Sequence, residues 1–125
     1  MIRLKKPQVL GMHHALIERY GGIHGVRDEG LLDSALQAPY QTFDDIELYQ
    51  TMIEKAVRLG YGLVRNHPFL DGNKRIGALA MIVLLDLNGF RIKAGSEELT
   101  EVFLSIAAGE TDDKALLLWV QGHIS

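Results

Sequence analysis

Glycine, proline and asparagine residues divide the chain into segments whose apolar residues recur at helical spacing. The breaks between these segments are Gly21-Gly22, Pro39, Pro68, Asn88-Gly89 and Gly109. Proline lacks an amide donor and glycine accepts a left-handed backbone, so each break predicts the end of a helix. Because the intervening apolar residues lie three or four positions apart, the sequence predicts an all-α fold of about six helices with essentially no sheet.

The predicted helices follow from these breaks. In chain order they run from Pro7 to Gly21, Asp28 to Pro39, about Leu48 to Asn66, about Asn73 to Asn88, Ser96 to Gly109, and Thr111 or Asp112 to Gly122. The residues that open the second, fifth and sixth helices are predicted to cap them. The connector at residues 39–48 contains an alternating stretch, Tyr40–Phe43, which favours a short strand or hairpin arm.

The fourth helix is predicted to be central. Residues 76–87 are apolar on almost all sides, apart from Asp86, which predicts a buried helix. The small residues Gly77, Ala78 and Ala80 would let neighbouring helices approach closely. We therefore expect a helical bundle built around this helix.

Composition narrows the classes of function. The 125 residues, 47% of them hydrophobic, predict one domain spanning residues 1–125. A net charge of −3 and no basic recognition helix argue against a nucleic-acid partner, including a helix-turn-helix DNA binder. There is no cysteine for a disulfide or thiol nucleophile. With no apolar run near the length of about 20 residues that a bilayer span needs, we expect a cytoplasmic protein without membrane contact.

The stretch Asn66–Arg75 carries the chemistry. It joins the end of one predicted helix to the start of the next, and a helix N-terminus offers unpaired amides and a partial positive charge to an anion. Gly72 would let the backbone approach a phosphate group. Lys74 and Arg75 lie in the first helical turn, where cations oppose the helix dipole by about 0.3–1 kcal/mol each if exposed. A bound polyphosphate would reverse that penalty, so the arrangement indicates a phosphate site.

Two further side chains complete the pattern. Asp71 is a carboxylate next to the expected phosphate cradle, where magnesium commonly bridges carboxylate and phosphate oxygens. His67 stands at the other end of the loop, and a histidine with an ordinary pKa of about 6.5 can take a proton from a hydroxyl at neutral pH. Base, metal ligand, cradle and cations are the parts that phosphoryl or nucleotidyl transfer requires.

Each of these residues also has a structural interpretation. Alone, His67 is more often a helix C-cap, Asp71 a cap of the next helix, and Phe69 a core residue. The two cations would ordinarily be a solvated face. These interpretations do not explain why all the features fall within nine residues.

The segment resembles the signature of the Fic/Doc family, His-x-Phe-x-Asp/Glu/Asn-Gly/Ala-Asn-Gly/Lys-Arg. Every fixed position is matched by His67-Pro68-Phe69-Leu70-Asp71-Gly72-Asn73-Lys74-Arg75. The segment Gly21–Asp28 and the apolar helix ending at Asn88-Gly89 are similar to the Doc (death-on-curing) branch. The resemblance implies a Fic fold with a short flap at residues 39–48 that aligns a target segment.

The resemblance also implies roles for individual residues. His67 would be the general base, and Asp71 would hold Mg²⁺. Phe69 would anchor the loop in the core as part of the ATP site. Gly72 and Asn73 would form the anion nest, and Lys74 and Arg75 would contact the ATP phosphates. The Doc branch implies a toxin that transfers the γ-phosphoryl group of ATP to a Ser or Thr hydroxyl of a translation factor, elongation factor Tu. Because the chain contains no inhibitory Ser/Thr-x-x-x-Glu-Gly/Asn string, we expect an antitoxin protein to act in trans.

Two alternatives remain open from the sequence. One is an AMP transferase on the same fold, although such members usually have Gly where Lys74 stands and Arg where Ala78 stands. The other is a non-catalytic helical module that binds a nucleotide or a partner.

The remaining histidines and the segment before the second helix are assigned structural roles. His13, His14, His24 and His123 do not show metal-binding spacing and are expected on the surface or in packing. Arg27 and Asp28 are interpreted as a helix start with a surface charge, with target binding as the alternative.

Overall fold

A computed structural model describes residues 1–125. The chain forms six α-helices, one 3₁₀ turn and one two-stranded hairpin. Their bounds are α1 Lys6–Tyr20, α2 Glu29–Gln37, the 3₁₀ turn Ala38–Tyr40, β1 Thr42–Phe43, β2 Ile46–Glu47, α3 Met52–Asn66, α4 Asn73–Leu87, α5 Ser96–Ala107 and α6 Asp113–His123. The prediction of an all-α bundle with six helices is confirmed.

Two of the predicted caps are present. The Asp28 carboxylate accepts a hydrogen bond from the Leu31 amide at 2.9 Å, and Asp112 accepts from the Ala115 amide at 2.8 Å. The predicted cap at Ser96 is wrong, because the extended residue before α5 is Gly95 and Ser96 is already helical. The α6 helix continues through Gly122 to His123, one residue beyond the predicted end.

The start of α3 differs from its prediction. It begins at Met52 rather than near Leu48, and Thr51 and Glu54 form a reciprocal capping box at its N-terminus. The reason lies in the preceding hairpin, since the Leu48 amide donates to the Gln41 carbonyl at 3.0 Å and extends the ladder beyond β2. Because the Leu48 backbone is hydrogen-bonded to the hairpin, it cannot also form the first turn of a helix.

The hairpin confirms the second half of the predicted extended arm, since β1 covers Thr42–Phe43 while Tyr40 still belongs to the 3₁₀ turn. Strands β1 and β2 pair antiparallel, with Phe43 opposite Ile46. Asp44 and Asp45 both have positive φ, 51° and 63°, as the tight turns that join hairpin strands require. The buried Lys55 of α3 lies 3.3 Å from a Glu47 carboxylate oxygen and so ties the hairpin to the core.

The helices α3 and α4 form the central pair of the bundle. α4 was expected to be buried on almost all sides, but only one face is fully buried, and Leu87 is 39% exposed. α3 shares the central position, since it packs against α2, α4, α5 and α6. None of the six helices combines the length and apolar content needed to cross a membrane.

Two glycines permit the close approach of the central pair. A Cβ atom on Gly60 would lie 2.9 Å from the Gly77 carbonyl oxygen, and one on Gly77 would lie 2.8 Å from the Gly60 carbonyl oxygen. Both distances are too short for a side chain, so the backbones touch directly at this crossing. The sequence indicated Gly77 as a point of close approach, but its partner Gly60 was not foreseen.

Candidate active site

The loop at residues 67–72 connects the end of α3 to the start of α4, as the motif predicted. His67 ends α3 in the left-handed conformation, with φ 50° and ψ 53°. Gly72 precedes α4 with φ 78°, also in the left-handed region. Between these two reversals the chain turns sharply, which brings the His67 side chain to the same opening as the first turn of α4.

The loop is held from inside by Phe69 and Asn73. Phe69 is fully buried, and Asn73 is 5% exposed. The Asn73 side chain accepts from the Phe69 amide and donates to the Phe69 carbonyl, both at 3.0 Å. These two residues, which were grouped with the nucleotide ligands, therefore shape the loop through their side chains. Any contact of Asn73 with an anion is left to its backbone amide.

His13 of α1 supports the same loop. Its ring stacks on the Phe69 ring with centroids 3.8 Å apart and planes 10° apart. Its Nε2 atom lies 2.8 Å from the Asp71 carbonyl oxygen. A carbonyl only accepts hydrogen bonds, so Nε2 must be the donor. The packing role expected of His13 is present, but its contact with the motif could not be seen from spacing along the chain.

The Asp71 carboxylate is fixed by two backbone amides. Oδ1 accepts from Gly72 at 2.9 Å, and Oδ2 accepts from Ile23 at 3.1 Å. Gly22 allows this approach, because a Cβ atom there would lie 2.6 Å from Asp71 Oδ2. Each carboxylate oxygen has a further lone pair, so the group remains able to bind a cation.

Arg27 holds the end of α3 beside the catalytic candidate. Its Nε donates to the His67 carbonyl at 2.7 Å, and its Nη2 donates to the Asn66 carbonyl at 3.1 Å. Helix C-terminal carbonyls lack partners within the helix and attract cations. The side chain assigned from sequence to surface charge or target binding thus caps α3 and supports the left-handed conformation of His67.

An open cavity of about 780 Å³ lies over the loop and the first turn of α4. Its lining includes His67 and Asp71 together with Gly72–Arg75, so the motif residues other than Pro68 and Phe69 reach one opening. This volume lies in the range of about 300–1,000 Å³ usual for small-molecule sites. Asp71 is the only carboxylate in the lining.

Positive charge surrounds the opening. Lys74, Arg75 and Arg65 line the cavity. Arg65 was not foreseen, and its Nη1 donates to the Ile106 carbonyl at 3.3 Å. The Arg75 guanidinium lies over the Tyr20 ring, 4.6 Å from the ring centroid, while Lys74 makes no ion pair or side-chain hydrogen bond within the chain. Lys74 is therefore the cation with most freedom to meet an anionic ligand.

The start of α4 has unused hydrogen-bond donors. The Ile76 amide is the first to bond within the helix, to the Gly72 carbonyl at 3.0 Å. No side chain caps this end, and the amides of Asn73, Lys74 and Arg75 have no acceptor in the chain. Three free amides at the positive end of a helix form an anion site, and Gly72 keeps the approach open because it has no side chain.

The opposite wall of the cavity comes from α5. Leu99, Phe103 and Leu104 provide its apolar surface, and Thr100 lies among them. An apolar wall facing an anion site suits a ligand that has both a flat apolar ring and phosphate groups. This wall was missed in the sequence, since the apolar spacing of α5 predicts a buried face without saying what it faces.

The residues that line the cavity are suited to Mg²⁺ and ATP, the two ligands that the resemblance implies. Mg²⁺ commonly uses one or two carboxylates and completes its coordination with water and phosphate oxygens. Asp71 supplies one such carboxylate beside the free amides of α4. The donor set is therefore suited to a magnesium–triphosphate ligand, and no thiol or imidazole cluster that would favour a softer metal lines this cavity.

The comparison with protein families agrees with the geometry. The family model described as Fic/DOC family matches residues 3–85, which include the whole loop and most of α4. The chain belongs to the Fic/DOC family. The match ends before α5, so the apolar wall of the cavity lies outside the part of this Fic/Doc chain that the family model covers.

Two of the relatives that the chain is similar to carry the name Doc. It is 40% identical to "Toxin Doc" of Mycolicibacterium smegmatis over 75 residues, which are 60% of this chain and 58% of that protein. It is 28% identical to "Protein kinase doc" of Escherichia phage P1 over 110 residues, which are 88% of this chain and 86% of that protein. The first match thus spans less than two thirds of the relative's length.

Proposed function

We propose that this Fic/Doc protein transfers the γ-phosphoryl group of ATP to a Ser or Thr hydroxyl of a translation factor. The observation that carries the proposal is the shared cavity of His67, Asp71 and the three free amides at the start of α4. A base, a carboxylate for Mg²⁺ and an anion site then face one ligand.

The reaction can be followed atom by atom. His67 accepts the proton of the target hydroxyl as its oxygen bonds to the γ-phosphorus. The bond between that phosphorus and the β,γ-bridging oxygen breaks, and ADP leaves. Mg²⁺ held by Asp71 would neutralise charge on the phosphate oxygens. The amides of Asn73–Arg75 and the Lys74 ammonium stabilise the negative charge that develops in the transition state.

Two side chains favour phosphoryl over AMP transfer. AMP-transferring members usually have Gly at the position of Lys74 and Arg at that of Ala78. Here both residues line the cavity, so a cation stands at the first position and a methyl group at the second. The relative named as a protein kinase covers most of this chain, which supports the same choice.

The names of the two relatives also support a biological role. A protein named as a toxin supports a toxin role for this chain, and phosphorylation of elongation factor Tu would stop translation. Since the chain contains no inhibitory string, an antitoxin in trans would restrain the activity. This role places the protein in the cytoplasm with its target.

Labelled nucleotides test the reaction. The protein is incubated with a cell extract, Mg²⁺ and ATP labelled at either the α- or the γ-phosphate. We expect label on an acceptor the size of a translation factor from the γ-position alone. Label from the α-position alone would replace this proposal with AMP transfer. The absence of label from both positions would contradict phosphoryl transfer as well as AMP transfer.

Growth measurements separate an enzyme from a binding module. His67→Ala removes an exposed imidazole and should leave the fold intact, so we expect it to abolish growth arrest at equal protein level. His123→Ala, on α6 and outside the cavity, is the matched control and should remain toxic. Undiminished arrest by His67→Ala would favour the non-catalytic module.

A further inference from the structure

A group of three side chains lies outside the active site, on the exposed side of α1. His14 and Glu18 are one helical turn apart on α1. The turn at Gly21-Gly22 then folds the chain back, which brings His24 to the same pair. We propose that His14, Glu18 and His24 bind a divalent transition-metal ion such as Zn²⁺.

The distances are close to those of a metal site. Glu18 Oε1 lies 3.9 Å from His14 Nε2, and Glu18 Oε2 lies 3.3 Å from His24 Nε2. The ligand atoms all lie within 4.8 Å of one another. With Zn–N and Zn–O bonds of about 2.0–2.1 Å, tetrahedral ligand atoms are about 3.4 Å apart. Small side-chain rotations on an exposed surface therefore suffice to close the site.

The chemistry of the ligands selects the ion. Two imidazoles and one carboxylate are a common protein ligand set for Zn²⁺, with a water molecule in the fourth position. Mg²⁺ prefers an octahedral set of oxygens and is poorly served by imidazole. The side chains of His14, Glu18 and His24 are 65%, 66% and 43% exposed, so an ion has direct access and a free position for water.

The two histidine rings already face each other. They stack with centroids 4.5 Å apart, and both present Nε2 to the same carboxylate. The histidine spacing alone excluded this site, because its third member is a glutamate and His24 reaches α1 only through the fold. The proposal therefore adds a ligand role to two histidines that the sequence analysis assigned to the surface or to packing.

The proposed site is connected to the catalytic loop. The residues on either side of His24 contact that loop: the Ile23 amide donates to Asp71 Oδ2 at 3.1 Å, and the Leu70 amide donates to the Gly25 carbonyl at 3.0 Å. An ion that joins His24 to α1 would restrict this segment. We therefore expect metal binding to slow hydrogen exchange at Ile23 and Leu70.

Calorimetry tests the site directly. Zn²⁺ is titrated into the protein in excess Mg²⁺, which is added to compete for the hard-oxygen position proposed at Asp71. We expect one ion per chain. Loss of a second-shell partner alone weakens metal sites about 10- to 100-fold, so Glu18→Gln or His24→Ala should weaken binding at least about tenfold. Co²⁺ should give visible absorption typical of tetrahedral coordination, and both variants should lose it.

Two controls separate this site from other histidines. His123 lies 2.9 Å from Glu98 but has no third ligand, so His123→Ala should bind Zn²⁺ as the unaltered protein does. His67→Ala should also retain binding. Unchanged affinity in both Glu18→Gln and His24→Ala, or loss of binding in His67→Ala, would overturn the proposal, as would the absence of any stoichiometric binding.

Discussion

The His13 ring lies flat against Phe69 and donates from Nε2 to the Asp71 carbonyl, so one residue of α1 contacts two positions of the motif at residues 67–75. His13 is 3% exposed and Phe69 is fully buried. The loop therefore owes its shape to a neighbouring helix as well as to its own sequence. Substitutions at His13 should disturb the active site without touching a ligand.

We expect His13→Ala to lower the free energy of unfolding by about 2–4 kcal/mol, because it removes both the stack and a buried hydrogen bond. His13→Phe keeps an aromatic ring and loses only the donor, so about 1–2 kcal/mol is expected. Urea denaturation in metal-free buffer measures both. The exposed neighbour provides a control, since His14→Ala should change stability by less than about 0.5 kcal/mol. Equal losses for His13→Ala and His14→Ala would contradict the role of His13.

Arg27 should affect catalysis more than stability. Its guanidinium holds the carbonyls of Asn66 and His67 on an exposed surface, so its removal should free the His67 backbone while leaving the core intact. We expect Arg27→Ala to lower kcat for transfer at least about tenfold, equivalent to about 1.4 kcal/mol in the barrier. Arg91→Ala removes an equal charge from a side chain without an ion pair or hydrogen bond and should leave kcat unchanged. An increase in KM for the target protein with kcat unchanged would show that Arg27 contacts the target instead.

Lys74 should lower the free energy of unfolding and strengthen the binding of ATP. A cation in the first turn of α4 opposes the helix dipole, so Lys74→Ala should raise the free energy of unfolding by about 0.3–1 kcal/mol in low salt. The same change should weaken ATP binding about 10- to 100-fold, the equivalent of one charge-assisted hydrogen bond. Thermal denaturation and calorimetry with a non-hydrolysable ATP analogue measure the two effects. Unaltered affinity would exclude Lys74 from phosphate binding.

The contact between Gly60 and Gly77 should be intolerant of any side chain. Adding one methyl group at either residue forces backbones apart, and overpacking of this kind costs about 1–3 kcal/mol. Gly11 lies in α1 with no atom within 4 Å of an added Cβ, so Gly11→Ala should instead stabilise the helix by about 0.5–1 kcal/mol. Chemical denaturation of the three variants gives the comparison. Stabilisation by Gly60→Ala would show that the helices are not in contact there.

Most of the fold could be predicted from patterns among residues that are close together in the sequence. Asp28 and Asp112 cap their helices as predicted because capping depends on a few adjacent residues. Ser96 failed as a cap because Gly95 can adopt the same extended conformation one residue earlier. The start of α3 was displaced by a hairpin hydrogen bond between Gln41 and Leu48, which no helical periodicity reveals.

The candidate site was predictable where its residues adjoin in sequence. His67, Asp71 and the start of α4 reach one cavity because the motif itself contains the two backbone reversals. His13 and Arg27 support the loop from distant parts of the sequence. Their contacts depend on which helices pack together, and the spacing of residues along the chain does not reveal this. The role of the 39–48 hairpin in holding a target stays a prediction, since none of its residues lines the cavity.

The central claim is that the start of α4 binds the phosphates of ATP under the His67 side chain. Amide chemical shifts recorded by NMR, with and without Mg²⁺ and a non-hydrolysable ATP analogue, test it most directly. We predict that the largest shifts fall on Asn73, Lys74 and Arg75, and that they persist in His67→Ala. Binding that leaves these three amides unshifted, or the absence of any binding, would contradict the account.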